Sequence, residues 1–136
     1  MRTSSGPLSP VREGVSGIIE VSVTSALNAG VTTIATITSQ PCVIDSIVVH
    51  ADTAAHADMT TCAVEGGASQ VVTFISTTDA TEANLNAIDK QVAWEGAVRL
   101  AVSKTITIDL QGTGDTAADL TVTITYHAAV DGGYLA

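Results

Sequence analysis

The residues able to do chemistry are few and scattered. His50, His56 and His127 are the three imidazoles of this 136-residue chain, and Cys42 and Cys62 are its two thiols. A zinc site draws nitrogen and sulfur ligands from short, recurring spacings, and no pair of these histidines has one. Each histidine falls at a strand end or in an exposed loop. Asp52, Asp58 and Glu65 offer the oxygen ligands that calcium takes from loops, but their spacing matches no calcium-binding loop. Gly112-Thr113-Gly114 shares letters with a nucleotide fingerprint, yet a strand follows it where phosphate binding needs a helix. Neither cysteine has a histidine beside it in the sequence, which leaves a dyad formed by folding open but gives nothing to recommend one. The expectation is a chain with no catalytic residue, no metal ligand and no cofactor, and hence no enzyme.

Trp94, in Gln91-Val-Ala-Trp-Glu-Gly96, is the one large amphipathic side chain. It is expected to anchor the core at a strand end. The alternative, a platform for stacking sugars, requires an exposed indole.

Charge removes another class of function. The net charge is -9, and no Lys or Arg stands between Arg12 and Lys90, a stretch holding Glu13, Glu20, Asp45, Asp52, Asp58, Glu65, Asp79, Glu82 and Asp89. A phosphate-tracking groove needs clustered cations and stacking aromatics, so nucleic acid is not an expected partner. The opening Met1-Arg-Thr-Ser-Ser-Gly-Pro-Leu-Ser-Pro10 lacks the apolar segment of a secretory signal, and no later run is long enough to span a membrane. Synthesis in the cytoplasm and no membrane partner are the expectations.

Composition points to strands. Hydrophobic residues are 46% of the chain and aromatics only 3%, so Val, Ile, Leu and Ala must fill the interior. The clearest pattern is Lys104 to Tyr126. Ile106, Ile108 and Leu110 alternate with Thr105, Thr107 and Asp109, and Leu120, Val122, Ile124 and Tyr126 alternate with Thr121, Thr123 and Thr125. With Gly112 to Asp115 between them, these read as an antiparallel hairpin in which Leu110 faces Leu120.

Other strands are expected from Ile18, over Val31 to Ile37, Cys42 to His50, Met59 to Glu65 and Gln70 to Ser76. Gln91 to Trp94 and Val98 to Val102 complete the set, separated by a turn at Glu95-Gly96. In Cys42 to His50 the alternation is spoiled at Asp45 or Ser46, which suggests partial cover on both faces. A hairpin of this strand with Met59 to Glu65 places Cys62 opposite Ile47, away from Cys42, so two reduced, packed thiols are expected. Asp79 and Glu82 are spaced as a helix N-cap and its reciprocal partner, with Leu85 and Ile88 on one helical face.

These elements make an all-β antiparallel sandwich, jelly-roll-like, with one short helix and an extended N-terminal arm. An Ig-like sandwich is the second topology. The arm spans residues 1–17, the sandwich 18–129 and a C-terminal tail 130–136. Rich in Ser, Gly and Pro, the arm lacks the apolar content to order by itself. It is either disordered or laid along a neighbour's sheet edge. Two loops echo one another, since Asp52-Thr53-Ala54-Ala55 and Asp115-Thr116-Ala117-Ala118 each lead through an Asp and an apolar residue to Thr. Loops this small suit close contact with another subunit, so these eight residues are candidates for an oligomer interface.

The strand Ser46-Ile-Val-Val-His50, the Ala/Asp-rich loop after it, Asn84-Leu-Asn-Ala-Ile-Asp-Lys-Gln-Val-Ala-Trp-Glu-Gly96, Val98-Arg-Leu100 and the closing Gly112-Thr-Gly114 segment together resemble the decoration, or cement, proteins of tailed-bacteriophage heads. The resemblance covers roughly Val31 to His127. It implies a non-enzymatic homotrimer on the exterior of an icosahedral capsid, bound to the major capsid protein and tying neighbouring subunits together in the virion. Under it, Arg2, Pro7, Leu8, Pro10, Val11 and Arg12 form a capsid-binding arm. The rival function is a carbohydrate- or receptor-binding module on a virion or cell surface.

Overall fold

A computed structural model describes residues 16–26, 30–53, 59–112 and 117–136. The described chain is built almost wholly of strand, as its Val, Ile and Thr content requires. In order, these are β1 (Ser16–Ala26), β2 (Gly30–Thr38), β3 (Cys42–Ala51), β4 (Met59–Gly66), β5 (Val72–Ile75), the helix α1 (Glu82–Leu85), β6 (Gln91–Leu100), β7 (Thr105–Gly112), β8 (Ala117–Ala128) and β9 (Tyr134–Leu135), with a 3-10 turn at Ala68–Gln70 before β5.

The strands lie in two sheets, ordered β1-β8-β3-β6 and β5-β4-β7-β2-β9. β1 pairs with β8, β2 with β7, β3 with β6 and β4 with β5, every pair antiparallel. The chain is thus one long hairpin folded back on itself and wound into a sandwich, a jelly-roll-like all-β fold. Between the sheets sits an aliphatic core that includes Ile37, Ile44, Ile47, Ile75, Leu85, Ile106, Ile108, Leu110, Leu120 and Ile124, all fully buried.

This winding corrects the expected hairpins. Ile106, Ile108 and Leu110 do point inward, as do Leu120, Val122 and Ile124, but from opposite sheets. Leu110 pairs with Cys62 and Gly30, while Leu120 pairs with Val23 and Ala51. β7 and β8 are therefore consecutive strands of different sheets and are not paired with each other. The same holds for β3 and β4, which are consecutive in the chain but not paired with each other. Alternation fixes which face of a strand is buried and leaves its neighbours open.

The broken alternation in β3 is a β-bulge. Against β8 the register shifts between Ile44 and Ser46 so that Asp45 is the extra residue, whereas against β6 the same step spans Val98 to Glu95 and the extra residue lies on β6; Ile44 and Ile47 both reach the core. On the β6 side the expected turn at Glu95-Gly96 is absent, and Gln91–Leu100 runs as one strand. A Cβ on Gly96 would stand 2.5 Å from Trp94 Cζ2, so the indole lies over the bare backbone of Gly96.

The helix is shorter than its pattern. α1 is a single turn whose N-cap is Thr81, with no side-chain cap bond. Asp79 instead accepts a hydrogen bond from Ser76 Oγ at 2.8 Å, so the expected capping pair with Glu82 does not form. Leu85 is buried and Ile88 is 65% exposed, because the helix ends before it could place both on one face.

At the ends, Ser16 and Gly17, counted with the arm from sequence, already belong to β1. In the segment read as a tail, Tyr134–Leu135 pairs with Ile37 and Thr38 as an edge strand, and Leu135 is buried.

Candidate interaction surfaces

The residues first considered for chemistry are spread along the sandwich. Cys42 and Cys62 are free and buried on different sheets. Burial pushes the Cys42 thiol up, and burial followed by the negative charge of Asp109 pushes Cys62 up to about 12. Such thiols are poor nucleophiles. Among the described residues no group of three or more His, Cys, Asp or Glu could hold a metal ion.

His50 and His127 mark opposite ends of the β3–β8 pair. His50 sits opposite Thr121 and His127 opposite Val43. Nδ1 of His127 is 2.8 Å from Asp45 Oδ2, so the bulge residue turns its carboxylate to the next strand.

At the other end His50 Nδ1 is 2.8 Å from Asp52 Oδ1 and Nε2 is 3.1 Å from Asp89 Oδ1. A carboxylate only accepts, so both contacts are satisfied together when the ring is imidazolium. The Asp52 hydrogen bond, and less strongly that of Asp89, raises the His50 pKa above its ordinary value. Thr121 Oγ1 donates to Asp52 Oδ2 at 2.7 Å, and with the His50 bond this lowers the Asp52 pKa. The backbone repeats the stitch. Asp52 N donates to Asp119 O at 3.0 Å, and Ala51 N to Lys90 O at 2.8 Å.

This junction brings together parts of the two echoing loops. Asp52 follows β3 and Asp119 lies in β8, and their main chains are hydrogen-bonded. Of the eight loop residues proposed from sequence, Asp52 is half-buried and Thr53 is exposed. Ala117 and Ala118 open β8 opposite Ala26 and Ser25. Ala54, Ala55, Asp115 and Thr116 lie outside the described residues, as do all six arm residues, Arg2, Pro7, Leu8, Pro10, Val11 and Arg12. The sequence held no sign that His50, Asp89 and Thr121 would meet, since they come from three separate segments.

An open groove of about 500 Å³ runs between α1 and the start of β6, lined by Thr78, Asp79, Asn84, Lys90, Gln91, Val92 and Ala93. Its polar groups serve local turns. Lys90 Nζ donates to Ala83 O and Asn86 Oδ1, and Asn84 Nδ2 donates to Asp79 O at 2.7 Å. Trp94 is half-buried, edge-on to Phe74 with ring centroids 4.8 Å apart and planes at 71°. Trp94 thus packs on the core from within β6 and not from the strand end expected, and its half-buried ring is not the exposed platform a glycan site requires.

The remaining surface consists of strand edges and outer faces. Ile18, Val31, Val71, Val102, Val130 and Tyr134 are exposed, well separated along the chain. In the first sheet β1 and β6 are each paired on one side only among the described residues.

No protein-family model matches the chain, and no curated protein matches it in sequence. Its fold is similar to chains of two solved structures. A chain of the acidic stable capsid structure of Helicobacter pylori bacteriophage KHP30 shares 11% identity at a TM-score of 0.53, over 89% of this chain and 98% of that one. A chain of the cyanophage Pam1 capsid asymmetric unit shares 11% identity at a TM-score of 0.55, over 94% of this chain and 92% of that one. This chain is therefore an all-β sandwich similar in fold to chains of two phage capsid structures, which agrees with the resemblance to phage-head proteins read from the sequence.

Proposed function

We propose that the protein is a structural component of a phage virion that binds the outer surface of an icosahedral capsid and stabilises it by bridging major capsid proteins. The observation that carries this is the end-to-end correspondence of the sandwich with chains of two phage capsid structures. The surface chemistry agrees with it. Described polar clusters are structural stitches, and the acidity suits an exterior position because packaged DNA would repel it from within.

Cementing of this kind works by linkage. A ligand that binds the assembled shell more tightly than free subunits stabilises the shell by its differential affinity. An oligomer that engages several subunits at once adds multivalency, and a homotrimer is the state the sequence resemblance implies. The arm, residues 1–17 with Arg2, Pro7, Leu8, Pro10, Val11 and Arg12, orders against the major capsid protein in this proposal, and the Asp52 to Ala55 and Asp115 to Ala118 loops meet a neighbouring copy.

Removing residues 1–15 tests the arm. Described structure begins at Ser16, so the truncated chain is expected to keep its circular dichroism spectrum and oligomeric state while losing affinity for shells. Undiminished shell binding by the truncated, folded protein removes the arm from the mechanism.

A further inference from the structure

β1 is unusual among the long strands here. It is eleven residues long, SGIIEVSVTSA, and is hydrogen-bonded to β8 on one side only among the described residues. Its ladder runs from Ser16↔His127 to Ala26↔Ala117 with no register shift, whereas β2–β7, β3–β6, β3–β8, β4–β5 and β4–β7 are each interrupted. Folded proteins ordinarily blunt such an edge with Lys, Pro, a bulge or an inward charge. β1 has none of these, and Glu20 is its one charged residue. Ile19 and Val21 face the core yet are only partly buried, and Ile18 on the outer side is 70% exposed.

We infer that the edge of β1 left unpaired by the described residues pairs with β1 of a second copy, antiparallel and about a two-fold axis, joining two four-stranded sheets into one of eight strands. Self-pairing of an edge is isologous, so the strand must be complementary to itself. The register that uses all eleven residues places Ser16 opposite Ala26 and Val21 opposite its own copy. Glu20 then faces Ser22, and Ile19 faces Val23 on the core side. A shift of the axis to Glu20 would put two carboxylates in direct opposition, which is destabilising, and would shorten the ladder. Full overlap and charge avoidance thus select one register.

The chain's own arm is a poorer occupant. Pro7 and Pro10 lack N–H groups and stand three apart, so in any regular strand one of them faces the edge it should bond. A two-fold contact does not close a trimer. It goes beyond the proposed function by linking copies of adjacent oligomers, or two free copies in solution.

Paired substitutions test this. Val21→Cys is expected to give an interchain disulfide under mild oxidation at least tenfold faster than Ser22→Cys, since only position 21 meets itself. The native thiols are buried and do not compete. Val21→Lys, at a half-exposed edge position, is expected to remove the two-fold contact in light scattering while keeping the strand spectrum. Equal cross-linking at the two positions overturns the register. A chain of 13.8 kDa that stays single at every concentration, or an oligomer indifferent to Val21→Lys, overturns the pairing. So does an edge whose amides become protected from exchange only when shells are added, because a shell strand is then the occupant.

Discussion

His50 holds Asp52 across a 2.8 Å contact at the C-terminal end of β3, and its far nitrogen reaches Asp89, so one imidazolium ties a strand end to the segment leading into β6. The two partners are displaced in opposite directions. His50 is raised from 6.5, so its contribution to stability is complete below that value and is lost as pH rises through the folded-state pKa. Asp52 is lowered from 3.8, so its contribution is present above that value and is lost as pH falls through the folded-state pKa. Their joint effect is greatest between these two ordinary values. His50→Gln is therefore expected to destabilise the protein more at pH 5 than at pH 8, measured by urea unfolding at the two pH values. An equal loss at both removes the charge from the explanation.

The core prediction concerns Ile124, fully buried and opposite both Ile47 and Ile19. Ile124→Ala leaves a cavity between tightly interleaved sheets and is expected to cost about 2–5 kcal/mol, against about 0.5–1.5 kcal/mol for Ile124→Val. Chemical denaturation of the three proteins gives both differences.

Gly96 and Trp94 supply a spectroscopic check. An added methyl at Gly96 would meet the indole at 2.5 Å, and Trp94 is the single tryptophan. Gly96→Ala is expected to push the ring off Phe74 toward water and shift its emission to the red. Emission unchanged from wild type would mean that the indole does not rest on Gly96.

Both thiols are expected to be silent toward a disulfide reagent in the native protein and to react fully after denaturation. Burial raises both pKa values and denies access, with Cys62 at about 12. Rapid labelling of either cysteine under native conditions would contradict its placement.

How much of this could be read from the chain depends on the kind of information each residue carries. Inward-facing residues were legible from alternation in Ile106 to Leu110 and Leu120 to Tyr126, and that sufficed for a sandwich. The neighbours of each strand were not, because pairing such as Ser16 with His127 joins positions with no local signal between them. Asp45 was visible as a defect in the pattern, but a bulge and a strand covered on both faces spoil alternation alike. Of the surfaces, the sequence singled out the loop flanked by Asp52, whereas the His50 junction depends on Asp89 and Thr121 arriving from elsewhere. The bare edge of β1 became apparent only once β8 was known to be its one described neighbour.

The most direct measurement is sedimentation of the purified protein with expanded shells of the major capsid protein from the same phage, followed by thermal unfolding of the recovered particles. Saturable co-sedimentation with a higher shell melting temperature than bare shells is the predicted result. Protein left in the supernatant at every concentration, with shell melting unchanged, would contradict a role as a capsid-stabilising component.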